Sequence, residues 1–297
     1  MAGADAWEFP VQQTARERPN EDFISMEIQQ LNGHIGARVT GVETGHALAD
    51  STLAELQTAV WRHHVLVVPT DGLTPRQLLT LSEQFGTPED HATSYHQLME
   101  EFPNIVVLDS TTDSRSDTWH GDETFLPRPP ILNLLYGHRI PAHGGETAFL
   151  STAAAYDALS DGMQKLLGEL TALHDLAMTL DWAWRRGQEH VDAMAQLLLD
   201  ERRTSHPVVM THPETGRKWL NVNSTYTRFI ENIPPLESEA LLGFLYQHMQ
   251  QPEFTYRHRW QTQDLVIWDQ RGSQHYGVLD YDDQRVMHRV SITPAEA

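Results

Sequence analysis

The stretch that decides the fold is residues 256–292, YRHRWQTQDLVIWDQRGSQHYGVLDYDDQRVMHRVSI. It contains three runs with the apolar, β-branched and aromatic composition of strands: Tyr256–Trp260, Leu265–Trp268 and Val286–Ile292. Two similar short runs lie upstream, Ile131–Tyr136 and Thr147–Leu150. Strands at both ends of the second half of the chain, with helical stretches between them, predict a mainly β fold with helical insertions. An antiparallel barrel or jelly roll is favoured over a doubly wound sheet.

Apolar residues at helical spacing predict three helices, over residues 51–62, 152–173 and 236–249. A fourth helix has explicit start and stop signals. Thr74 is its cap, Pro75 its first residue, and Gln77 completes a capping box. Gly86 is the expected end of this helix.

The remaining signals concern short strands and the ends of the domain. Residues 28–42 predict short strands with turns, and their glycines do not form GxGxxG, which disfavours a dinucleotide-binding loop. Residues 208–222 predict a hairpin. Residues 1–25 are polar and aperiodic, so we expect an N-terminal arm there and a single domain over 26–297.

Composition excludes several classes of function. The 297 residues include 21 Lys and Arg against 41 Asp and Glu, a formal net charge of −20, which disfavours binding to nucleic acid or to anionic membranes. The chain has no cysteine, so disulfides, thiolate metal sites and cysteine nucleophiles are excluded. No apolar run approaches the roughly 20 residues of a membrane span, and the N-terminus does not resemble a secretory signal. We therefore expect a cytoplasmic protein with a small-molecule substrate.

The motif Trp119-His120-Gly121-Asp122 is the first candidate for chemistry. Side chains alternate along a strand, so His120 and Asp122 project to the same face and could bind one metal ion. An HxD motif alone is weak evidence, because it occurs by chance. A third ligand has to come from elsewhere in the chain.

His275 supplies that ligand, since it follows an apolar strand and a turn. Two histidines and one carboxylate form the facial triad of non-haem iron(II) oxygenases, which leaves open positions on the metal. Those positions suit a 2-oxo acid and dioxygen. Arg285 and Arg289 lie on the next strand-like run, and a buried arginine suits the distant carboxylate of such a co-substrate.

With these motifs in this order, the chain resembles the TauD/TfdA family of 2-oxoglutarate dioxygenases over about residues 26–293. Further shared motifs are GARVTG at 36–41, WHGDETF at 119–125, GGET at 144–147, HPVV at 206–209, HPETG at 212–216, WDQR at 268–271, QHY at 274–276 and RVMHR at 285–289. The resemblance implies a double-stranded β-helix, the cupin-like jelly roll. It also implies that His120, Asp122 and His275 bind Fe(II).

The resemblance further implies that Thr147 and Arg289 hold the carboxylate of 2-oxoglutarate, with Arg285 near the pocket in a less fixed role. The implied reaction consumes 2-oxoglutarate and O2, forms succinate and CO2, and hydroxylates a substrate C–H. Asp122 retains the carboxylate that related halogenases lack, so hydroxylation is favoured. If the attacked carbon bears a sulfonate, sulfate or aryloxy group, cleavage of the C–S or C–O bond follows.

Five positions are candidates for contact with the substrate. His91 follows the Phe85-Gly86 turn, where sulfonate-using members of the family have a histidine that binds the anionic head. Phe125 and Tyr226 are candidate aromatic walls. Ser116 and Glu123 depart from the taurine enzymes, which have an asparagine and a small apolar residue there. Glu123 should repel an anionic head if it points inward, but it could bind a substrate amine or point outward.

Several alternatives stay open at this point. The first is cleavage of a sulfonate, alkyl sulfate or aryloxy acid; the second is hydroxylation or desaturation of an amino acid or a natural-product intermediate. A non-catalytic 2-oxoglutarate or metal sensor is a third, and a hydrolase has no supporting motif. The segment 175–203, with Trp182 and Trp184, is a candidate lid. The family resemblance also implies a homo-oligomer, a dimer or a tetramer.

Overall fold

Two β-sheets that face each other form the centre of the protein in a computed structural model, which describes residues 26–90, 97–112, 117–180, 191, 192, 195 and 202–294. Seventeen strands are present in these ranges. They are β1 Glu27–Gln30, β2 Ala37–Thr40, β3 Val65–Pro69, β4 Thr87–Pro88, β5 Leu98–Met99, β6 Phe102–Asp109, β7 Leu132–Arg139, β8 Thr147–Ser151, β9 Thr171–Asp175, β10 Arg203–Pro207, β11 Val209–Thr211, β12 Lys218–Leu220, β13 Thr227–Ile230, β14 Thr255–His258, β15 Asp264–Asp269, β16 Ser273–Gly277 and β17 Val286–Thr293. The predicted arm, residues 1–25, lies outside the described residues.

The larger sheet has nine strands in the order β1-β2-β3-β15-β7-β17-β6-β5, with β4 also paired to β17. Its pairs are antiparallel except for β2 and β3, which are parallel. The smaller sheet has the order β14-β8-β16. Phe149 of the smaller sheet packs with Val266, Trp268 and Met287 of the larger one in a single core cluster. This pair of facing sheets confirms the jelly roll that the sequence predicts.

Five helices cover the outer faces of the sheets within the described residues: α1 Asp50–His63, α2 Pro75–Phe85, α3 Thr152–Asp157, α4 Asp161–Leu167 and α5 Pro235–Met249. The buried faces of α1 and α2 share a core with strands of the larger sheet. The capping box is confirmed, because Thr74 Oγ1 accepts from the Gln77 backbone N–H and the Gln77 side chain accepts from the Thr74 N–H. No helix in the described part of the chain is long and apolar enough to cross a membrane.

Two sequence predictions about elements need correction. The single helix over 152–173 is wrong, because two short helices occupy 152–167 and residues 171–175 form β9. Ser160 caps the second of these helices and Gly168 ends it, so the helical spacing does not continue into Thr171. Strand β6 was not predicted, although it pairs with β17 in the larger sheet, next to the edge strand β5.

His64 ends α1 with a left-handed backbone, φ 58°, and its ring is buried against Gly272. Neither ring nitrogen has a hydrogen-bond partner among the described residues. Burial lowers the pKa of His64 to about 4, although the nearby Asp269 carboxylate opposes the shift. The ring is therefore neutral in the folded protein over a pH range in which the unfolded chain binds a proton.

We expect this histidine to reduce stability as the pH falls. Below the unfolded pKa of about 6.5 the unfolded chain binds the extra proton, so at pH 5 His64 alone lowers the free energy of unfolding by about 2 kcal/mol relative to pH 7. Urea unfolding of metal-free protein at both pH values measures the loss. In His64→Asn, which tolerates the left-handed backbone and does not titrate, the loss should be smaller by that amount. Equal losses in the two proteins would contradict the assignment.

Candidate active site

His120 and His275 are brought together by backbone pairing. The His120 N–H donates to the His275 carbonyl at 3.1 Å, and the His275 N–H donates to the His120 carbonyl at 2.9 Å. This isolated antiparallel bridge pairs His120 with His275 of β16, and the centroids of the two rings lie 4.2 Å apart. Asp122, two residues after His120, projects to the same place. The three side chains are buried, and one potential ligand atom of each lies within 4.8 Å of the others.

Asp122 is held in its ionised form. Its Oδ1 lies 3.3 Å from His120 Nε2 and its Oδ2 lies 3.9 Å from His275 Nε2. Asn133 donates to Oδ2 at 3.1 Å, and Arg289 Nη1 lies 3.3 Å from the same oxygen. Burial alone would raise the pKa of Asp122, but the Arg289 guanidinium and the two histidines hold it well below its usual value. A buried anionic carboxylate is therefore available as a ligand.

The imidazoles also have the form that a metal needs. The backbone oxygen of Thr118 lies 2.8 Å from His120 Nδ1 and can only accept, so Nδ1 carries the proton and Nε2 presents a lone pair. Burial, together with the neighbouring His120, lowers the pKa of His275 to about 3, so its ring is neutral. Two imidazoles and one carboxylate, all buried, fit a divalent transition metal.

A polar network behind the cluster fixes the loop that carries Asp122. Thr124 Oγ1 lies 2.9 Å from His174 Nδ1 and accepts from Asn223 Nδ2 at 2.9 Å. Burial lowers the pKa of His174 to about 3, so this ring is also neutral. No local pattern predicts this network, because its members come from three distant parts of the chain.

Thr147 lies at the start of β8 and meets Arg285 and Trp260. Its Oγ1 accepts from Arg285 Nη2 at 3.2 Å and from Trp260 Nε1 at 2.9 Å. The Arg285 guanidinium also lies over the Trp260 ring, 5.7 Å from its centroid. Burial lowers the pKa of Arg285 to about 10, so it is cationic at neutral pH. The three residues form a buried cationic cluster.

The structure separates the two arginines that sequence reasoning considered. The guanidinium that reaches Thr147 is that of Arg285, whereas the guanidinium of Arg289 reaches Asp122. Four residues of strand separate them, a rise of about 13 Å. The structure therefore pairs Thr147 with Arg285, and the role of Arg289 as an anchor for the carboxylate of 2-oxoglutarate stays a prediction.

The sequence that forms this site matches a known protein family. The family model described as taurine catabolism dioxygenase TauD, TfdA family, matches residues 27–291, which is most of the chain. The chain belongs to the TauD/TfdA family.

Several TauD/TfdA relatives match along most of their length. An alkylsulfatase from Acinetobacter baylyi is 32% identical over 271 residues, covering 90% of this chain and 84% of that protein. An α-ketoglutarate-dependent sulfate ester dioxygenase from Pseudomonas putida is 29% identical over 276 residues, covering 91% of this chain and 90% of that protein. The crystal structure of a taurine dioxygenase from Burkholderia xenovorans superposes with a TM-score of 0.79 at 28% sequence identity. The match covers 91% of this chain and 90% of that protein. The chain is accordingly a 2-oxoglutarate (α-ketoglutarate)-dependent dioxygenase that uses O2 and a metal.

Two of the candidate substrate residues of this TauD/TfdA protein pack against each other, and one of them lies near the metal cluster. The rings of Phe125 and Tyr226 lie 5.1 Å apart, edge to face, and the Tyr226 ring lies 6.5 Å from that of His120. Both rings are buried. His91, Ser116, Trp182 and Trp184 lie outside the described residues, so their predicted roles stay predictions.

Glu123 has a partner that sequence reasoning missed. A side-chain hydrogen bond joins it to Glu89, and an oxygen of each carboxyl is buried. Burial and the neighbouring Glu123 raise the pKa of Glu89 to about 9, although Arg289 opposes the rise. Glu89 is therefore protonated at neutral pH, and it lies hydrogen-bonded to Glu123 close to Arg289. Glu89 precedes His91 by two residues after the Phe85-Gly86 turn, which is the signal that could have placed it near the site.

Proposed function

We propose that this protein is an iron(II)- and 2-oxoglutarate-dependent dioxygenase that hydroxylates the carbon bearing the ester oxygen of a small organic sulfate. The observation that carries the proposal is the buried Arg289 guanidinium, 3.3 Å from the carboxylate of the candidate metal cluster. A cation beside the metal suits a substrate with an anionic head near its reacting carbon. The sulfate-ester chemistry named for the two sequence relatives supports this choice.

His120, Asp122 and His275 would hold the iron. Two imidazoles and a carboxylate are the donors of the facial triad of iron(II) oxygenases, which leaves neighbouring positions open. When bound, iron supplies the activation of O2 that couples decarboxylation of 2-oxoglutarate to oxidation of a C–H bond. The protein supplies the position of each partner and a buried site that excludes water.

Thr147 and Arg285 would bind the distal carboxylate of 2-oxoglutarate. A buried guanidinium recognises a carboxylate through charge-assisted hydrogen bonds. The Thr147 hydroxyl already accepts from two donors, so its own proton is free to be donated to the carboxylate. Arg289 would then bind the sulfate, with Phe125 and Tyr226 as walls for the organic part.

The overall reaction balances without another reactant. One atom of O2 enters succinate and the other becomes the hydroxyl on the substrate carbon, while 2-oxoglutarate loses CO2. The resulting hydroxylated ester breaks its C–O bond, giving an aldehyde and sulfate. The proton that the hydroxyl group loses in this collapse leaves with the sulfate or passes to solvent.

Succinate and sulfate release from purified protein with iron(II), ascorbate and 2-oxoglutarate test the proposal. The panel contains alkyl sulfates, alkanesulfonates, aryloxy acids, amino acids and a no-substrate control. We expect succinate above the uncoupled background with an alkyl sulfate, together with an equal amount of sulfate. If succinate forms only with another class of substrate, the proposal of an oxygenase would stand and the proposal of a sulfate ester as its substrate would be wrong. No succinate from iron-loaded protein with any substrate would favour the sensor alternative.

A second candidate is a substrate that carries an amino group, and the Glu89–Glu123 pair is the observation that favours it. The hydrogen-bonded carboxyls of this pair lie close to Arg289, and their oxygens would accept hydrogen bonds from an ammonium group. The matched substrates 2-aminoethyl sulfate and propyl sulfate differ only in an ammonium in place of a methyl group. A higher kcat/KM for propyl sulfate would exclude this candidate.

Two further properties belong to the proposal. The family resemblance supports a homo-oligomer, either a dimer or a tetramer. The absence of cysteine is compatible with a reducing compartment and supports a cytoplasmic enzyme.

A further inference from the structure

We infer that Trp260 is a positioning residue for 2-oxoglutarate, acting through the hydroxyl of Thr147. The inference rests on the proposed function of Thr147 and Arg285 as the anchor of the distal carboxylate. Trp260 was not among the residues that sequence reasoning selected. Its contacts set the orientation of both anchoring groups.

The first contact fixes the direction of the Thr147 hydroxyl. A hydroxyl has one proton to donate and two lone pairs to accept. The Trp260 indole N–H, at 2.9 Å, and Arg285 Nη2, at 3.2 Å, occupy both lone pairs of Thr147 Oγ1. The Thr147 proton must therefore point away from both donors, which leaves Thr147 as a donor to the carboxylate. Without the indole N–H, the hydroxyl regains an orientation that presents a lone pair to the carboxylate.

The second contact is with the Arg285 side chain. The guanidinium lies 5.7 Å from the Trp260 ring centroid, within the range of a cation–π interaction. Arg285 Nε is buried and has no hydrogen-bond partner among the described residues. The Trp260 ring and the Thr147 hydroxyl therefore both contact the guanidinium that would bind the carboxylate.

Trp260 is itself fixed by close packing. Only 5% of its surface is exposed, and it belongs to the core between the two sheets. A Cβ atom placed on Gly137 would lie 3.3 Å from Trp260 Cε3, so the strand β7 backbone closes one side of the ring. The His258 ring meets it edge to face, with centroids 4.6 Å apart. An indole that cannot rotate can impose its direction on a small hydroxyl group.

The direct test compares Trp260→Phe with the wild type. Phenylalanine keeps an aromatic ring but removes the N–H donor together with one ring of the indole. Calorimetric titration of 2-oxoglutarate into manganese(II)-loaded protein should give a Kd about three- to tenfold higher, the effect of one neutral hydrogen bond. Metal affinity should be unchanged. Trp219→Phe is the matched control, because Trp219 is equally buried and packs on His212 in the β11–β12 hairpin.

A double-mutant cycle separates positioning from a structural effect. In the Thr147→Val background, which has no hydroxyl to orient, Trp260→Phe should change the Kd for 2-oxoglutarate no further. In the Thr147→Ser background, the dependence on Trp260 should return. An unchanged Kd in Trp260→Phe, or an equal rise with and without the Thr147 hydroxyl, would overturn the inference.

The failure of the proposed function gives a different result. If Thr147→Val itself leaves the Kd for 2-oxoglutarate unchanged, the anchor is elsewhere and the proposed function of Thr147 is wrong. If Thr147→Val raises the Kd and Trp260→Phe does not, only the role of Trp260 is wrong. Should Trp260→Phe not fold, the indole N–H resonances of tryptophan-labelled protein provide a second measurement. One indole N–H resonance should shift when 2-oxoglutarate is added to the wild type, and the same resonance should shift in Thr147→Val. If no resonance shifts in either comparison, the inference is wrong.

Discussion

Replacing His275 with alanine is expected to abolish metal binding and succinate formation. His275 would supply one of only three ligands, and its removal leaves Asp122 and His120 without a complete facial set. Loss of a partner outside the ligand shell typically costs 10–100-fold in metal affinity, so loss of a ligand should cost more than about 100-fold. Titration of manganese(II) into metal-free protein measures the affinity directly. His120→Ala should behave in the same way.

His248→Ala is the matched control for these variants. Its ring is bonded to the Ala155 carbonyl beneath α5 and belongs to no part of the candidate site. Metal binding and turnover should therefore be close to wild type in His248→Ala. 2-Oxoglutarate-dependent turnover that survives in His275→Ala would show that the ligand assignment is wrong.

Replacing Arg285 with methionine is expected to raise the Kd for 2-oxoglutarate by about 30-fold or more. Truncation of one partner of a buried, hydrogen-bonded charge pair costs about 2–5 kcal/mol, and each 1.4 kcal/mol is tenfold. Arg289→Met keeps a similar apolar stem and should instead raise the KM for the sulfate ester. Calorimetric titration of 2-oxoglutarate and steady-state kinetics with the substrate separate the two effects.

The reverse outcome would restore the assignment that the family resemblance implied. If Arg289→Met weakens 2-oxoglutarate more than Arg285→Met does, Arg289 is the carboxylate anchor despite its distance from Thr147. Metal content has to be measured in both variants, because Arg289 also lies beside Asp122. A loss of metal would otherwise resemble a loss of co-substrate.

The sequence predicted elements whose signals are local. Thr74, Pro75 and Gln77 define a helix start within four residues, and the structure has that capping box. The β runs of 256–292 are also local signals, and β15 and β17 lie close to their predicted limits. By contrast, a helical pattern could not show that Thr171–Asp175 would pair with β10 and β13, because that choice depends on strands far along the chain.

The residues of the site also divide into those with a local sequence signal and those whose role depends on distant parts of the chain. The HxD spacing put His120 and Asp122 on one face, and the order of the motifs brought in His275. Which arginine meets Thr147 could not be read from the sequence, since a spacing of four residues predicts that Arg285 and Arg289 project to the same face of a strand. That choice depends on where along β17 the start of β8 lies. Glu89 and Trp260 were missed for a related reason, because their importance comes only from the residues that fold against them.

The position of β17 has a consequence for biosynthesis. This strand is the last one of the described chain, yet it lies between β6 and β7 at the centre of the larger sheet. While the ribosome is still adding residues beyond His275, the nascent chain already contains β6 and β7 but not the strand that separates them. Two unpaired apolar strand edges are then available for wrong pairing or for aggregation. Productive folding of the sheet, and with it delivery of both arginines to the site, therefore waits until β17 has left the ribosome.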